Sequence, residues 1–205
     1  MAAAGEVSGA QIAASLAAIA PTLRLSTPRL VLRRLDARDE ATAIVHEQDR
    51  RIMRWIRDQQ PIEAIRERTQ RLLSPWRGEE GSFLALAVTL RDNDAMLGIV
   101  VARFASIADV TMEVGYRLHS DVHRKGYAFE AMSRWIDWLL VEQSVRKLTA
   151  WVAAPNEPSW RLLEKLGFTL EASFREHTQL AGEWVDERVY GLLAREWRLK
   201  AKGRK

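Results

Sequence analysis

Between a segment with strand character and one with helix character, the chain carries His123-Arg124-Lys125-Gly126-Tyr127-Ala128. A glycine and two cations at a strand-to-helix turn suit anion binding. Successive backbone N–H groups leave such a turn unpaired, and the helix N-terminus adds roughly half a positive charge. Arg124 and Lys125 strengthen that field, and the natural guest is a phosphate or diphosphate. The glycine patterns of P-loop and dinucleotide folds, G-x-x-x-x-G-K-[ST] and G-x-G-x-x-G, are both absent. Basic residues beside one glycine also occur in plain surface loops, so the reading depends on the loop's neighbours.

Those neighbours follow from periodicity. Thr111 to His119 has the β-branched and aromatic content of a strand, and Ala128, Ala131, Met132, Trp135, Ile136 and Leu139 recur at helical spacing. Upstream, Thr22 to Leu35 reads as one strand, and Asp36 as the N-cap of a helix through Ala41, Ile44 and Val45. Pro61 opens a helix with apolar face Ile62, Ile65, Leu72, Leu73 and Trp76. Phe83 to Leu90 and Leu97 to Phe104, joined by Asp92-Asn93-Asp94, read as an antiparallel hairpin. Downstream lie a strand from Lys147 to Ala154 and a helix from Pro158 stopped by Gly167. Strands at Phe168 to His177 and Asp186 to Ala194 follow, with Gly182 between them. The order predicts a mixed sheet with helices on its faces.

Composition bounds the function. With 205 residues, 47% hydrophobic and 28% charged, the chain has enough length for one domain with a core of its own. The net charge of +4 is too small to argue nucleic-acid binding. Cysteine is absent, which excludes disulfides, thiolate metal sites and a cysteine nucleophile. No metal-ligand spacing appears, and His46, His119 and His177 read as structural or solvated. No run approaches the about 20 apolar residues of a membrane span, and Met1 to Ala20 lacks the cationic start of a signal peptide. The chain therefore reads as cytoplasmic. Residues 1–21 read as an extension, flexible or forming a helix docked on the domain or on a second copy in a homodimer; 22–197 read as the domain and 198–205 as a solvated basic tail.

Several runs, in order, resemble the GNAT acyl-CoA N-acyltransferases, and within them the RimJ/RimL-type branch of ribosomal-protein N-terminal acetyltransferases. They are Leu25-Ser26-Thr27-Pro28-Arg29-Leu30, Glu113-Val114-Gly115-Tyr116, Lys125-Gly126-Tyr127-Ala128-Phe129-Glu130-Ala131, Asn156 with Ser159, and Leu163-Glu164-Lys165-Leu166-Gly167-Phe168. Gly182 and Asp186 through Tyr190 fit the last hairpin. The superfamily loop is written [QR]-x-x-G-x-[GA]; His123 departs from it, while Gly126 and Ala128 keep it.

The resemblance implies a single α/β domain with a mostly antiparallel sheet, splayed at the cofactor and covered by helices on both faces. It implies acetyl-CoA as cofactor, its diphosphate on the N–H groups of residues 124–129, among them Arg124, Lys125, Gly126, Tyr127, Ala128 and Phe129. The pantetheine would pair with the backbone at Tyr116 and Leu118 like an added strand, beside Asn156. Glu113 would be the general base and Ser159 the proton donor. Trp55 and Trp184 would face an amine acceptor, either a protein N-terminus or a small molecule, and Tyr190 would face it too or serve in packing. A non-catalytic acyl-CoA-binding module is the rival of another class. Deprotonating an α-amine at pH 7 costs about 1 kcal/mol against about 4.6 for lysine, which favours an α-amine. Among the tryptophans, Trp135 and Trp151 are expected in the core and Trp138 partly exposed.

Overall fold

In a computed structural model, which describes residues 8–202, helix α1 (Gly9–Ile19) leads into strands β1 (Arg24–Ser26) and β2 (Leu30–Arg34). Helices α2 (Glu40–Gln48), α3 (Arg50–Met53) and α4 (Ile62–Leu73) follow, then strands β3 (Leu84–Leu90), β4 (Met96–Ser106) and β5 (Thr111–Leu118). Helix α5 (Tyr127–Asp137) crosses to β6 (Lys147–Ala153), and α6 (Glu157–Leu166), β7 (Thr169–Leu180), β8 (Glu183–Leu193) and α7 (Ala194–Lys202) complete the chain. The strands form one sheet of order β1-β2-β3-β4-β5-β6-β8-β7, antiparallel except at β5–β6.

At its centre the sheet is buried on both faces, and β3 shows why. Leu84, Leu86 and Val88 join the large core that contains Met132, Trp135 and Leu166, while Ala85 and Ala87 face Leu35, Leu72 and Ile99 on the other side. A strand with apolar residues at six of its seven positions has no solvent face, so helices must cover it twice. Asp36 caps the turn before α2 through a reciprocal box with Asp39, and Gly167 ends α6 with φ 104°.

Helix α1 starts from a capping box between Ser8 and Gln11 and buries Ile12, Ala13 and Leu16 in the large core beside Trp76. A side chain on Gly9 would collide with the carbonyl of Ile107, so the helix start lies directly on the β4–β5 turn. The part of the 1–21 expectation that concerns residues 1–7 lies outside the described residues, as do residues 203–205 of the tail.

Several expectations are corrected. The strand expected over Thr22 to Leu35 is a hairpin, because Pro28 lacks a ladder donor and Thr27 closes the turn with both its N–H and its hydroxyl on Leu30. Trp76 lies beyond α4 rather than on it. Trp138 is buried, not partly exposed: α5 passes into a π-turn (Trp138–Glu142), and α7 packs over it with Trp197 donating to Asp137 at 3.1 Å. Residues 198–202 are not a loose end but the last turns of α7, with Arg198 bonded to the Leu140 carbonyl. Trp151 is 42% exposed rather than in the core, because it sits on the sheet face whose helices, α2 and α4, reach β4 and β3.

Candidate active site

The site begins where β5 and β6 part. Their parallel pairing covers Thr111–Lys147, Met112–Leu148 and Glu113–Thr149 and then stops, although both strands continue. His119 donates its N–H to Leu97 of β4, so by strand alternation the N–H and C=O groups of Leu118, Tyr116 and Val114 face the opposite side, into the gap. The gap is therefore edged by backbone groups that an extended ligand can pair with.

His123, the residue that departs from the family's loop pattern, has a structural task. Its Nε2 lies 3.0 Å from the Leu118 carbonyl, so a proton on that nitrogen ties the loop to the end of β5. The loop then winds through two left-handed residues, Arg124 with φ 60° and Gly126 with φ 81°. Gly126 is the N-cap of α5 and leaves the first N–H groups of that helix without a side-chain cap. Alternating left-handed residues before an uncapped helix make the concave N–H cradle that a diphosphate requires.

A clamp from across the molecule holds this cradle. Glu130, in the first turn of α5, accepts from the Thr27 hydroxyl at 2.6 Å and from Arg29 Nε at 2.7 Å, while Arg29 Nη1 donates to the Lys125 carbonyl at 3.0 Å. The two groups on Arg29 and the one on Thr27 keep the Glu130 carboxyl below its usual range despite burial. The β1–β2 turn thus fixes the loop. In the sequence these residues stand out only within the family-like runs, where Pro28 flanked by two polar residues is the local signal.

Glu113, Tyr116, Leu118, Arg124 and Gly126 line one cavity of about 1450 Å³, together with Tyr127, Ala128, Phe129, Asn156, Ser159 and Trp55. Of the sequence candidates, Lys125, Trp184 and Tyr190 lie outside it. Lys125 is exposed and takes part through its carbonyl. Trp184 is 59% exposed at the hairpin tip. Tyr190 is corrected from an acceptor-facing residue to a core one: it is 1% exposed, and its hydroxyl donates to Glu164 at 3.1 Å because α6 covers β8 there.

Strand alternation divides the chemistry. Val114 and Leu118 point into the core under α5, and Tyr116 packs against the same core. The Tyr116 hydroxyl donates to Ser159 Oγ at 3.3 Å, and burial pushes that phenol above its ordinary pKa, so it carries its proton at neutral pH. Glu113 and Arg117 occupy the other face. Glu113 accepts from Arg103 at 2.6 and 3.1 Å, both bonds on Oε2. Asn156 precedes α6 without using its side chain as a cap, which leaves its amide for the cavity that it lines. Trp151, missed as a site residue, walls the cavity and stacks on Phe174 and His177 at 5.6 and 5.9 Å.

Beyond Glu113 the wall is basic. Arg57, Arg68 on α4 and Arg117 on β5 converge on the buried carboxylate of Glu47 on α2, Arg117 at 3.3 Å and Arg57 at 3.7 Å. His46, next to it, lies 5.2 Å from His119, and burial with the charge of His119 and Arg117 lowers its pKa from 6.5 to about 4. A histidine that is neutral when folded stabilises fully above pH 6.5 and loses that contribution as pH falls toward 4, by about 3 kcal/mol at most. The difference in urea midpoint between the wild type and His46→Gln is therefore expected to shrink across that window. A difference constant with pH would remove His46 as the cause.

Among the described residues, no cluster of acidic, histidine or cysteine side chains suits a metal ion, and no helix is long and apolar enough to cross a membrane. A family model for an acetyltransferase (GNAT) domain matches residues 29–169. Two curated relatives are each 26% identical to the chain. The uncharacterized N-acetyltransferase YnaD of Bacillus subtilis (strain 168) matches over 85% of this chain and 99% of its own. The [ribosomal protein uS5]-alanine N-acetyltransferase of Escherichia coli (strain K12) matches over 86% and 94%. Among solved structures, a GNAT-family acetyltransferase from Bacillus anthracis superposes with TM-score 0.72 at 23% identity, over 85% of this chain and all of that one. The ribosomal-protein-S5-alanine acetyltransferase from Vibrio fischeri does so with TM-score 0.72 at 20% identity, over 85% and 98%; at these identities the likeness is one of fold.

Proposed function

The chain belongs to the GNAT acetyltransferase family, and from that premise we propose that it moves an acetyl group from acetyl-CoA directly to the α-amine at the N-terminus of a protein or peptide. The observation that carries this reading is the acceptor half of the cavity, a wide space walled by Trp55, Trp151 and a set of arginines that outnumber its carboxylates. A pocket for a polyamine or another cationic small molecule needs the opposite charge. The relative that acts on the alanine of ribosomal protein uS5 supports the same choice, as does the small cost of deprotonating an α-amine.

Bound in the gap, acetyl-CoA supplies the activated thioester. The N–H groups at the start of α5 hold the diphosphate, and the gap-facing backbone of Tyr116 and Leu118 aligns the pantetheine, with the Asn156 amide beside it. Glu113 takes the proton from the amine as the N–C bond forms, on the strand face where the acceptor enters. On the opposite face Ser159 delivers a proton to the departing sulfur, its Oγ held by the Tyr116 hydroxyl. No covalent enzyme intermediate is needed, in keeping with a chain that has no cysteine.

The test is thiol release from acetyl-CoA across N-terminal peptides and small amines. Peptides are expected to turn over and polyamines not; release with polyamines alone would overturn the acceptor assignment. Ser159→Ala is expected to lower kcat about a hundredfold, and Tyr116→Phe, which keeps the serine hydroxyl, by less. Unchanged turnover in Ser159→Ala would take Ser159 out of the mechanism.

A further inference from the structure

The basic wall carries more positive charge than its own acids can balance. Eight arginines and three glutamates line the cavity, and one of the three, Glu113, is already paired with Arg103. Arg124 faces the phosphate end, but Arg57, Arg68 and Arg117 all lean on the single carboxylate of Glu47, whose side chain is 1% exposed. One carboxylate has too few lone pairs to satisfy three guanidinium forks. Burial, followed by the nearness of Arg68, pushes Arg57 below its ordinary pKa, and burial does the same to Arg117. Arg57 is the loosest member, 3.7 Å from Glu47 and 37% exposed, so it is the one free to meet a ligand.

Distance selects the kind of ligand. Arg117 stands four residues along β5 from Glu113, about 13 Å on a strand rising about 3.3 Å per residue. Both side chains lie on the acceptor face. A free amino acid carries its α-carboxylate only two bonds from the amine and cannot reach from one to the other. An extended peptide spans the interval in three to four residues.

We propose that this enzyme selects acceptors with a carboxylate side chain on the second to fourth residue, bound by Arg57 with Arg68 and Arg117 behind it. This rests on the N-terminal acetyltransferase reading above.

The test uses C-terminally amidated hexapeptides with Glu, Gln or Lys at residues two to four, together with free glutamate. Each is assayed for thiol release at low and high salt. The Glu peptides are expected to exceed the Gln peptides about ten- to a hundredfold in kcat/KM, mainly through KM, as a charge-assisted hydrogen bond would give. High salt should narrow the gap. Arg57→Gln is expected to remove most of it while leaving KM for acetyl-CoA unchanged.

Equal rates for Glu and Gln peptides, or a preference that survives Arg57→Gln, would overturn the inference while leaving the enzyme an N-terminal acetyltransferase. Free glutamate as the better acceptor would assign the wall to a free amino acid and overturn it too. Inhibition by a short RNA that matches the acidic peptides would assign the wall to nucleic acid instead. No release with any α-amine would remove the proposed function and this inference together.

Discussion

Glu113→Gln is expected to lower kcat about 10²- to 10⁴-fold, the usual worth of a positioned general base, with KM for acetyl-CoA changed little. The side chain lies at the last paired position of β5 before the gap opens, on the face opposite Tyr116 and Ser159. The proposed base and acid thus stand on either side of β5. The glutamine keeps the shape and can still accept from Arg103, so a loss of rate without a loss of melting temperature isolates the proton-accepting role. A wild-type rate with peptides in Glu113→Gln would leave the carboxylate a mere partner of Arg103 and would move the base elsewhere on the acceptor wall.

Glu47→Gln is expected to cost about 3–5 kcal/mol of stability, because it leaves buried guanidinium charge without its counter-ion. For a chain of this length that corresponds to a fall in Tm of roughly 10 °C. Arg117 is the group most exposed to the loss, since its side chain is only 9% accessible and its other bond goes to the sulfur of Met53. Adding Arg117→Met should recover part of the stability, since the apolar replacement removes the stranded charge along with its partner. A melting temperature within 2 °C of the wild type in Glu47→Gln, a margin of roughly 1 kcal/mol, would show that water reaches the cluster and screens it. The two predictions bear on different links: Glu113 on the chemistry, Glu47 on the packing that presents the acceptor wall.

Much of the cofactor end was legible because its signals are local. The turn at Lys125-Gly126, the helical spacing from Ala128 onward and the strand before them all lie within one stretch of chain, and the proposed anion contact needs only backbone N–H groups, whatever side chains stand nearby. The order of strands and helices was legible for the same reason, since an alternating or 3.6-residue pattern is written within each element. Where an element's environment comes from elsewhere, the reading failed. Trp138 is buried by α7 and Trp151 exposed by the want of a helix above it; neither outcome is encoded beside the tryptophan. Tyr190 sits in a family run, yet α6 takes its hydroxyl.

The acceptor wall lies furthest from the sequence. Glu47, Arg57, Arg68 and Arg117 come from a helix, a connection, a second helix and a strand, separated by up to 70 residues, and no spacing links them. By itself the sequence determined the family, the glycine turn that opens α5 and the strand that carries Glu113 and Tyr116, because each is a short-range pattern with a backbone cause. The tertiary structure alone decided where β5 and β6 separate, that Tyr116 meets Ser159, that Arg29 and Glu130 lock the loop, and that the acceptor side is positive. Those are outcomes of packing between distant elements, where charge and burial are set by what the fold brings together.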